Sequence, residues 1–362
     1  LSVTGTVTGM LGGYPSSGYD TTLTGGSFTV AAAAATVEGG ASFQDGAGNS
    51  DKLVVALTGI DQPAAGGSYY GWLVSSDGAT STSIGALAVS AAGAVDATYN
   101  ATDGANLLGA YNTFSISTSD ESATPSVYSD SLEVEAFVHV GHLLVAKTGN
   151  PGDKGILVGL REQAQLALNE ATLANAATTL ADKQAHLKKL INIVGGAVDA
   201  NYDATAGDSG DGYGVLRYST DAVTHANLAK AGAADNATVT AQVAAVVAAA
   251  GNVTSSATAA LNNAVAGAGV SADNLILDLS ISNALTNMTA AVNENGSKTA
   301  YDEGQGIAKM VLVKGAALPV VAPPPPSTGD TPLGSYVTSA MLAGLILIAS
   351  GAALLWRRKV VI

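Results

Sequence analysis

Two different patterns of apolar and polar positions divide the chain near residue 136. Residues 1–136 contain short runs of β-branched and aromatic residues, separated by glycine-rich and Asp-Gly turn signals. Such runs, spaced at roughly ten to fifteen residues, predict an antiparallel β-sandwich. The predicted strands are Ser27–Val30, Lys52–Leu57, Tyr69–Val74, Ile84–Val89, Tyr111–Ser117 and Ser131–Val134.

From residue 137 onward the apolar positions recur with the period of an α-helix. One apolar stripe, at i, i+3, i+4 and i+7, consists of Leu187, Leu190, Ile191 and Val194. Alanine is abundant here, and it is both the best helix former and small enough for close helix packing. We therefore expect an α-helical bundle over residues 137–315. The predicted helices are Gly159–Leu180, Asp182–Val194, Ser219–Ala231, Ala237–Ala250, Ala272–Val292 and Ser297–Val313.

The segment 334–356 is apolar and contains no charged residue. A helix of this length reaches roughly 35 Å, which is enough to cross a hydrocarbon core of about 30 Å. The basic residues Arg357, Arg358 and Lys359 follow at once, and basic residues stay on the cytoplasmic side. The pattern predicts a single-pass transmembrane helix with the N-terminus outside and residues 357–362 as a basic cytoplasmic tail. The alternative is a buried helix of a soluble core.

Two further features agree with an exported body held away from a membrane. The sequence begins at Leu1 with no basic and apolar leader, as expected of a mature chain after removal of a signal peptide. Residues 316–333 form a proline-rich linker that contains Pro319 and the run 323–326. Consecutive prolines favour a stiff polyproline II spacer.

Composition and charge exclude several functions. Charged residues make up 12% of the chain, against roughly 25% in average soluble domains. The net charge is −14, and residues 1–146 contain Lys52 as their single basic residue. Such a surface repels phosphate backbones, so we expect no nucleic-acid partner. The absence of cysteine excludes disulfides, thiolate metal sites and cysteine nucleophiles.

Residues 27–135 contain a motif with a family resemblance. The run Tyr69-x-x-Trp72-Leu73-Val74 is followed by a glycine-rich hairpin and by a strand that leads into a turn at Pro125. This order resembles the extracytoplasmic domain of anti-sigma-K factors. The resemblance implies a small β-sandwich in which Trp72 belongs to the core. It does not imply transcriptional regulation, because no segment here resembles the cytoplasmic zinc-binding domain of those factors.

The C-terminal region carries a second resemblance. Pro326-Ser327-Thr328-Gly329-Asp330 precedes the apolar segment and the basic tail. This tripartite order resembles a cell-wall sorting signal of the Leu-Pro-x-Thr-Gly type, although Pro325 stands where leucine is usual. The resemblance implies that a sortase cuts after Thr328 and joins this residue to the envelope. Anchoring without cleavage is the alternative.

The four histidines are confined to the predicted bundle. His139 and His142 are three residues apart and would share a helix face, while His186 and His225 lie on later helices. Imidazoles from three helices could converge on copper, zinc or iron, or could supply axial ligands to haem. The alternative is a set of separate histidines bonded to the backbone.

An acidic loop at 199–214 is the second candidate metal site. Asp199, Asn201 and Asp203 have the Asp-x-Asn-x-Asp spacing that opens calcium loops, and Asp208 and Asp211 follow in a glycine-rich turn. The loop has no closing Glu and no glycine at the position where EF-hand loops have one. The spacing therefore predicts either a calcium site or an ordinary polar connection between helices.

The sequence favours a non-enzymatic role. It has neither a Gly-x-Ser-x-Gly elbow nor a phosphate-binding Gly-x-x-x-x-Gly-Lys loop. We expect a membrane-anchored cell-surface protein with a structural or interaction role in the cell envelope, such as a surface-layer component, an adhesin or an accessory subunit of a membrane complex. Its expected partners are the membrane and envelope proteins or further copies of itself. The alternative is an extracytoplasmic metal- or haem-binding helical bundle for metal handling or electron transfer.

Overall fold

A computed structural model describes residues 36–207, 210–293 and 295–315, which form a mixed β and α fold. The strands are β1 (Glu38–Gln44), β2 (Lys52–Thr58), β3 (Tyr69–Val74), β4 (Ser81–Leu87), β5 (Val95–Asn100), β6 (Thr113–Ser117), β7 (Ser126–Ser131) and β8 (Val313–Lys314). The helices are α1 (Val134–Leu144), α2 (Ile156–Ala176), α3 (Leu180–Gly195), α4 (Val215–Gly232), α5 (Ala237–Ala268), α6 (Leu275–Val292) and α7 (Ser297–Ile307), with a short 3-10 helix at Pro151–Asp153.

The strands form two antiparallel sheets. The first has the order β1-β2-β5, and the second has the order β4-β3-β6-β7-β8. In β2 alternate residues point inward, so that Leu53, Val55 and Leu57 are buried. All five residues of β6 are buried, which fits its central position in the second sheet. Trp72 on β3 is buried as expected, and its indole N–H donates to the Ser117 hydroxyl at 3.1 Å.

The helices begin and pack as local chemistry dictates. Side-chain oxygens of Thr179, Asn236 and Asn274 accept from the first free backbone N–H groups of α3, α5 and α6. The long helix α5 contacts α3, α4, α6 and α7. Its buried face is a repeating stripe of valine and alanine that begins at Val239, Val243 and Val246. Small residues along this face let the neighbouring helices approach closely.

The sheets and helices share one apolar core. Buried side chains from both sheets and from all seven helices form one continuous cluster. The chain after α7 returns to the sheets, where β8 pairs with β7 and Met310 bridges to Ala41. The division into a 1–136 domain and a 137–315 domain stays a prediction.

Several element predictions are confirmed and others are wrong. Tyr69–Val74 has the predicted bounds, and Lys52–Leu57 is one residue short. The predicted strand Ser131–Val134 is wrong, because β7 ends at Ser131 and Val134 already begins α1. The predicted helix Ala237–Ala250 continues to Ala268. The sequence pattern did not predict β1 and β5, because these strands, EGGASFQ and VDATYN, are rich in glycine and polar residues.

Within the described ranges, two stretches are long and apolar enough to cross a membrane by length and composition alone: Ala237–Ala268 and Leu275–Ile307. In the apolar 18-residue window of each stretch, 39% and 33% of the residues are buried inside the fold. A core helix passes the same test. The predicted transmembrane helix at 334–356 lies outside the described residues. So do the linker from 316 onward, the sorting-like motif, the basic tail and the predicted strand Ser27–Val30.

Asp130 on β7 should give the fold a distinct pH dependence. Burial raises the pKa of its carboxyl from 3.8 to about 6, although the Val311 N–H donates to it at 2.5 Å. A raised pKa makes the protonated group favour the folded state, so its contribution is complete below pH 3.8 and is lost as pH rises through about 6. We expect the free energy of unfolding of the wild type, relative to Asp130→Asn, to fall between about pH 4 and pH 7 in urea titrations.

Asp77 provides a control of opposite sign. The Ser75 hydroxyl donates to its carboxylate and lowers the pKa of that group. Its contribution is therefore present above its ordinary pKa and lost as pH falls, so Asp77→Asn should change the profile in the acid range instead. Identical pH profiles for Asp130→Asn and the wild type would contradict the assignment.

Candidate metal centre

Three of the four histidines meet between α1 and α4. His139 and His142 lie one turn apart on α1, and His225 lies on α4. The Nδ1 atom of His225 is 3.3 Å from Nδ1 of His139 and 3.3 Å from Nδ1 of His142. One possible ligand nitrogen from each of the three rings lies within 4.8 Å of the other two. The three rings therefore direct nitrogen atoms toward a common point.

The orientation of the rings differs from simple stacking. Ring centroids are 5.0 to 5.7 Å apart, and the planes are inclined to one another by 54° to 88°. His225 is 8% exposed, whereas His139 and His142 are half-buried. Inclined rings whose nitrogens converge can act together on one small ion. Because His139 and His142 are only half-buried, the point where the three rings converge lies near the protein surface on the α1 side.

The helical period explains why these side chains face one another. On α1 the buried residues Ala136, Val140 and Leu143 form a core stripe, and the two histidines lie beside it. On α4, His225 itself lies in the buried stripe that includes Ala222 and Ala229. The flank of one helix thus faces the buried stripe of the other.

A glycine sets the distance between the two helices. A Cβ atom added at Gly232 would lie 2.6 Å from the Ala136 nitrogen and 2.8 Å from the Glu135 carbonyl carbon. A side chain at this position would collide with the backbone of α1. Ala136 is one turn before His139, so the close contact holds α1 where its histidines reach His225. The importance of this glycine could not be read from the sequence, which contains 43 glycines.

His186 does not join the other three histidines. It lies on α3, and its Nδ1 atom is 2.7 Å from the Glu170 carboxylate on α2. The prediction of a converging cluster therefore describes three of the four candidates. The fourth forms a separate pair between adjacent helices.

The carboxylates in the first half of the acidic loop bind neighbouring groups of the protein. Asp199 accepts from the backbone and side-chain N–H groups of Asn201 at 2.8 and 3.0 Å. Asp203 accepts from the N–H and hydroxyl of Thr205 and forms an ion pair with Lys188 at 2.9 Å. The Thr205 hydroxyl, followed by Lys188, lowers the pKa of Asp203 to about 2. These are turn-stabilising roles for Asp residues.

In the second half of the loop, the described carboxylate also accepts hydrogen bonds from neighbouring protein groups. Asp211 accepts from the Tyr213 N–H and from the Tyr218 hydroxyl, each at 2.9 Å. Asp208 lies outside the described residues. In the described part of the chain, the histidine triad is the one group of three or more metal-ligating side chains that converges. The spacing that predicted a calcium site has therefore produced no convergence among Asp199, Asp203 and Asp211.

Two open clefts flank α2, and neither is lined by the three histidines. One, of about 490 Å³, is lined by Arg161, Glu162, Gln165 and Leu166. The other, of about 330 Å³, is lined by residues that include Lys154, Glu170 and Asp211. Four of the lining or adjacent charged and ionisable groups form pairs: Lys154 with Glu162, and Glu170 with His186. The histidine triad is thus the site with the clearer chemistry.

No protein-family model, no curated protein and no solved structure matches this chain. The resemblance of residues 27–135 to anti-sigma-K factors stays a prediction, as does the resemblance of the C-terminal region to a sorting signal.

Gly232→Ala should destabilise the protein, because the added methyl group must push α1 away from α4. Overpacking of this kind costs about 1–3 kcal/mol in the free energy of unfolding. Gly141→Ala is the matched control on α1, because an added Cβ there meets nothing within 4 Å. It should stabilise the protein by about 0.5–1 kcal/mol through its higher helix propensity. Denaturant titration of both variants measures the difference, and equal effects would contradict the close contact.

Proposed function

We propose that this protein binds one transition-metal ion through His139, His142 and His225. The observation that carries the proposal is the pair of 3.3 Å separations between Nδ1 atoms. Metal–imidazole bonds are about 2.0–2.1 Å long, so two nitrogens at a tetrahedral angle on one ion lie about 3.3–3.4 Å apart. The nitrogens of these two pairs are thus spaced as ligands of a single ion, and one ligand nitrogen from each of the three rings lies within 4.8 Å of the other two.

The donor set favours a bare ion over haem. Neutral imidazole suits zinc, copper, iron and nickel, and the chain has no thiolate to select for softer ions. Two axial haem ligands lie on opposite faces of the iron, at about 2 Å each, and so must be roughly 4 Å apart. The two pairs that include His225, at 3.3 Å each, are too close for that arrangement. Metal handling is therefore the better supported form of this hypothesis.

We further propose that the metal centre belongs to a membrane-anchored protein of the cell envelope with a structural or interaction role. The uncharged segment 334–356 and the three cations after it support the anchor and its orientation. The low charged content fits a surface built from small polar residues. The proposal includes attachment to the cell wall through Thr328, with uncleaved anchoring as the alternative.

The proposed architecture is a β-sandwich followed by a helical bundle. Buried side chains of the first sheet, such as Phe43 and Val55, belong to the same core as Leu73 and Phe114 of the second sheet. A shared core supports face-to-face packing of the sheets. On the helical side, α5 contacts four other helices, as the central helix of a bundle would.

Metal binding is tested by equilibrium dialysis against Zn²⁺ or Cu²⁺ with elemental analysis. We expect one equivalent per chain. Loss of one ligand, in His139→Ala, His142→Ala or His225→Ala, should weaken binding by at least about 10- to 100-fold, the loss that follows removal of outer-shell partners alone. Metal at 100 times its Kd should raise the free energy of unfolding by about 2.7 kcal/mol.

His186→Ala is the matched control for these variants. Its imidazole pairs with Glu170 outside the triad, so its removal should leave metal stoichiometry and affinity unchanged. Circular dichroism verifies that each variant is folded. Metal retained in the triple variant of His139, His142 and His225 would refute the proposal.

Surface anchoring is tested on intact cells. We expect the full-length chain to sediment with membranes or envelope and its body to be cut by protease added outside, because an uncharged helix-length segment partitions into lipid. Deletion of 334–356 should release the body from the membrane fraction. A wild-type chain that stays in the aqueous fraction and is shielded from external protease would refute this part of the proposal.

A further inference from the structure

We infer that the centre formed by His139, His142 and His225 is an open coordination site, whose fourth position takes water or a small anion from solution. The inference rests on the proposed metal binding and goes beyond it. An open site exchanges its fourth ligand with the solution, whereas a structural site only holds two helices together.

The number of donors points to an open position. Structural zinc sites have four protein ligands, whereas sites that work on an exogenous ligand have three protein ligands and a water molecule. Over residues 36–207, 210–293 and 295–315, the converging group contains three histidines and no fourth His, Cys, Asp or Glu. With a bond of about 2.05 Å, the two 3.3 Å separations correspond to N–metal–N angles of about 107°. Both angles are close to tetrahedral, and a tetrahedral ion held by three histidines has a fourth corner for an exogenous ligand.

The acidic side chains one helical turn before the ligand histidines do not belong to the converging group. Glu135 lies one turn before His139, and its Cβ faces Gly232 at the end of α4 rather than joining the ligand group. Asp221 lies one turn before His225, and its carboxylate accepts from the Tyr213 hydroxyl. Neither carboxylate is among the converging donors.

The charge of the centre favours an anion in the vacant corner. Three neutral imidazoles leave both charges of a divalent ion uncompensated, and a partly buried charge is stabilised by an opposite one. The half-buried rings of His139 and His142 leave the α1 side of the centre accessible, whereas His225 forms its buried side. Hydroxide, a halide or a small carboxylate has the required charge and size.

Substitution with Co²⁺ tests the inference directly, because its visible spectrum reports coordination geometry. We expect the full chain loaded with Co²⁺ to show the intense bands of a four-coordinate ion. Added azide should shift these bands with a saturable dependence on concentration. Perchlorate at the same ionic strength coordinates poorly and should cause no shift, which separates ligation from salt effects.

Glu135→Gln is the matched variant. If the inference is correct, its Co²⁺ spectrum and its response to azide equal those of the wild type. Bound Co²⁺ whose spectrum ignores azide would show a closed site and overturn the inference while leaving metal binding intact. A spectrum changed by Glu135→Gln would identify this carboxylate as the fourth ligand and would also overturn it. Failure of Co²⁺, Zn²⁺ and Cu²⁺ to bind would instead remove the proposed function itself.

Discussion

The close contact between α1 and α4 at Gly232 is the constraint on which the histidine centre depends. This contact fixes the N-terminal end of α1. Hydrogen bonds to the second sheet fix the chain just before that helix. The buried side chain of Asn112 donates to the Leu132 carbonyl at 2.8 Å, and the Leu132 N–H donates back to the Asn112 carbonyl at 2.8 Å. Only two residues, Leu132 and Glu133, connect the end of β7 to the start of α1. The positions of His139 and His142 therefore follow from contacts made by the backbone around them.

A partly buried polar junction connects the first sheet to the helices. Asp45, in the turn after β1, accepts from the Tyr301 hydroxyl at 2.9 Å and from the Gln305 amide at 2.6 Å. Arg161 lies over the Tyr301 ring, 3.7 Å from its centroid, and reaches the same carboxylate. Burial, and then the hydrogen bond to Asp45, raises the pKa of Tyr301, so the hydroxyl remains a donor. Loss of Asp45 would leave the buried side chains of Tyr301 and Gln305 without this acceptor, at about 1–3 kcal/mol each.

Sequence spacing had unequal value for the two candidate metal sites. A separation of three residues places His139 and His142 on one face of any α-helix, because the helical period is fixed. The spacing of Asp199, Asn201 and Asp203 is informative only if the loop folds around an ion. Here short-range hydrogen bonds to Asn201 and Thr205 occupy the carboxylates. Asp side chains compete in this way wherever a turn offers a backbone N–H.

The amino-acid sequence by itself determined the change from strands to helices, the bounds of β3, the apolar stripe of α3 and the restriction of all histidines to the helical part. These are local properties, since they depend on alternation, helical period and turn residues. Only the tertiary structure decided that His225 meets His139 and His142 while His186 pairs with Glu170. It also decided that glycine- and polar-rich β1 and β5 become strands, because neighbouring strands satisfy their backbone groups. Residues distant in sequence meet through helix crossings and strand pairing, and neither is encoded in the spacing of residues along the chain.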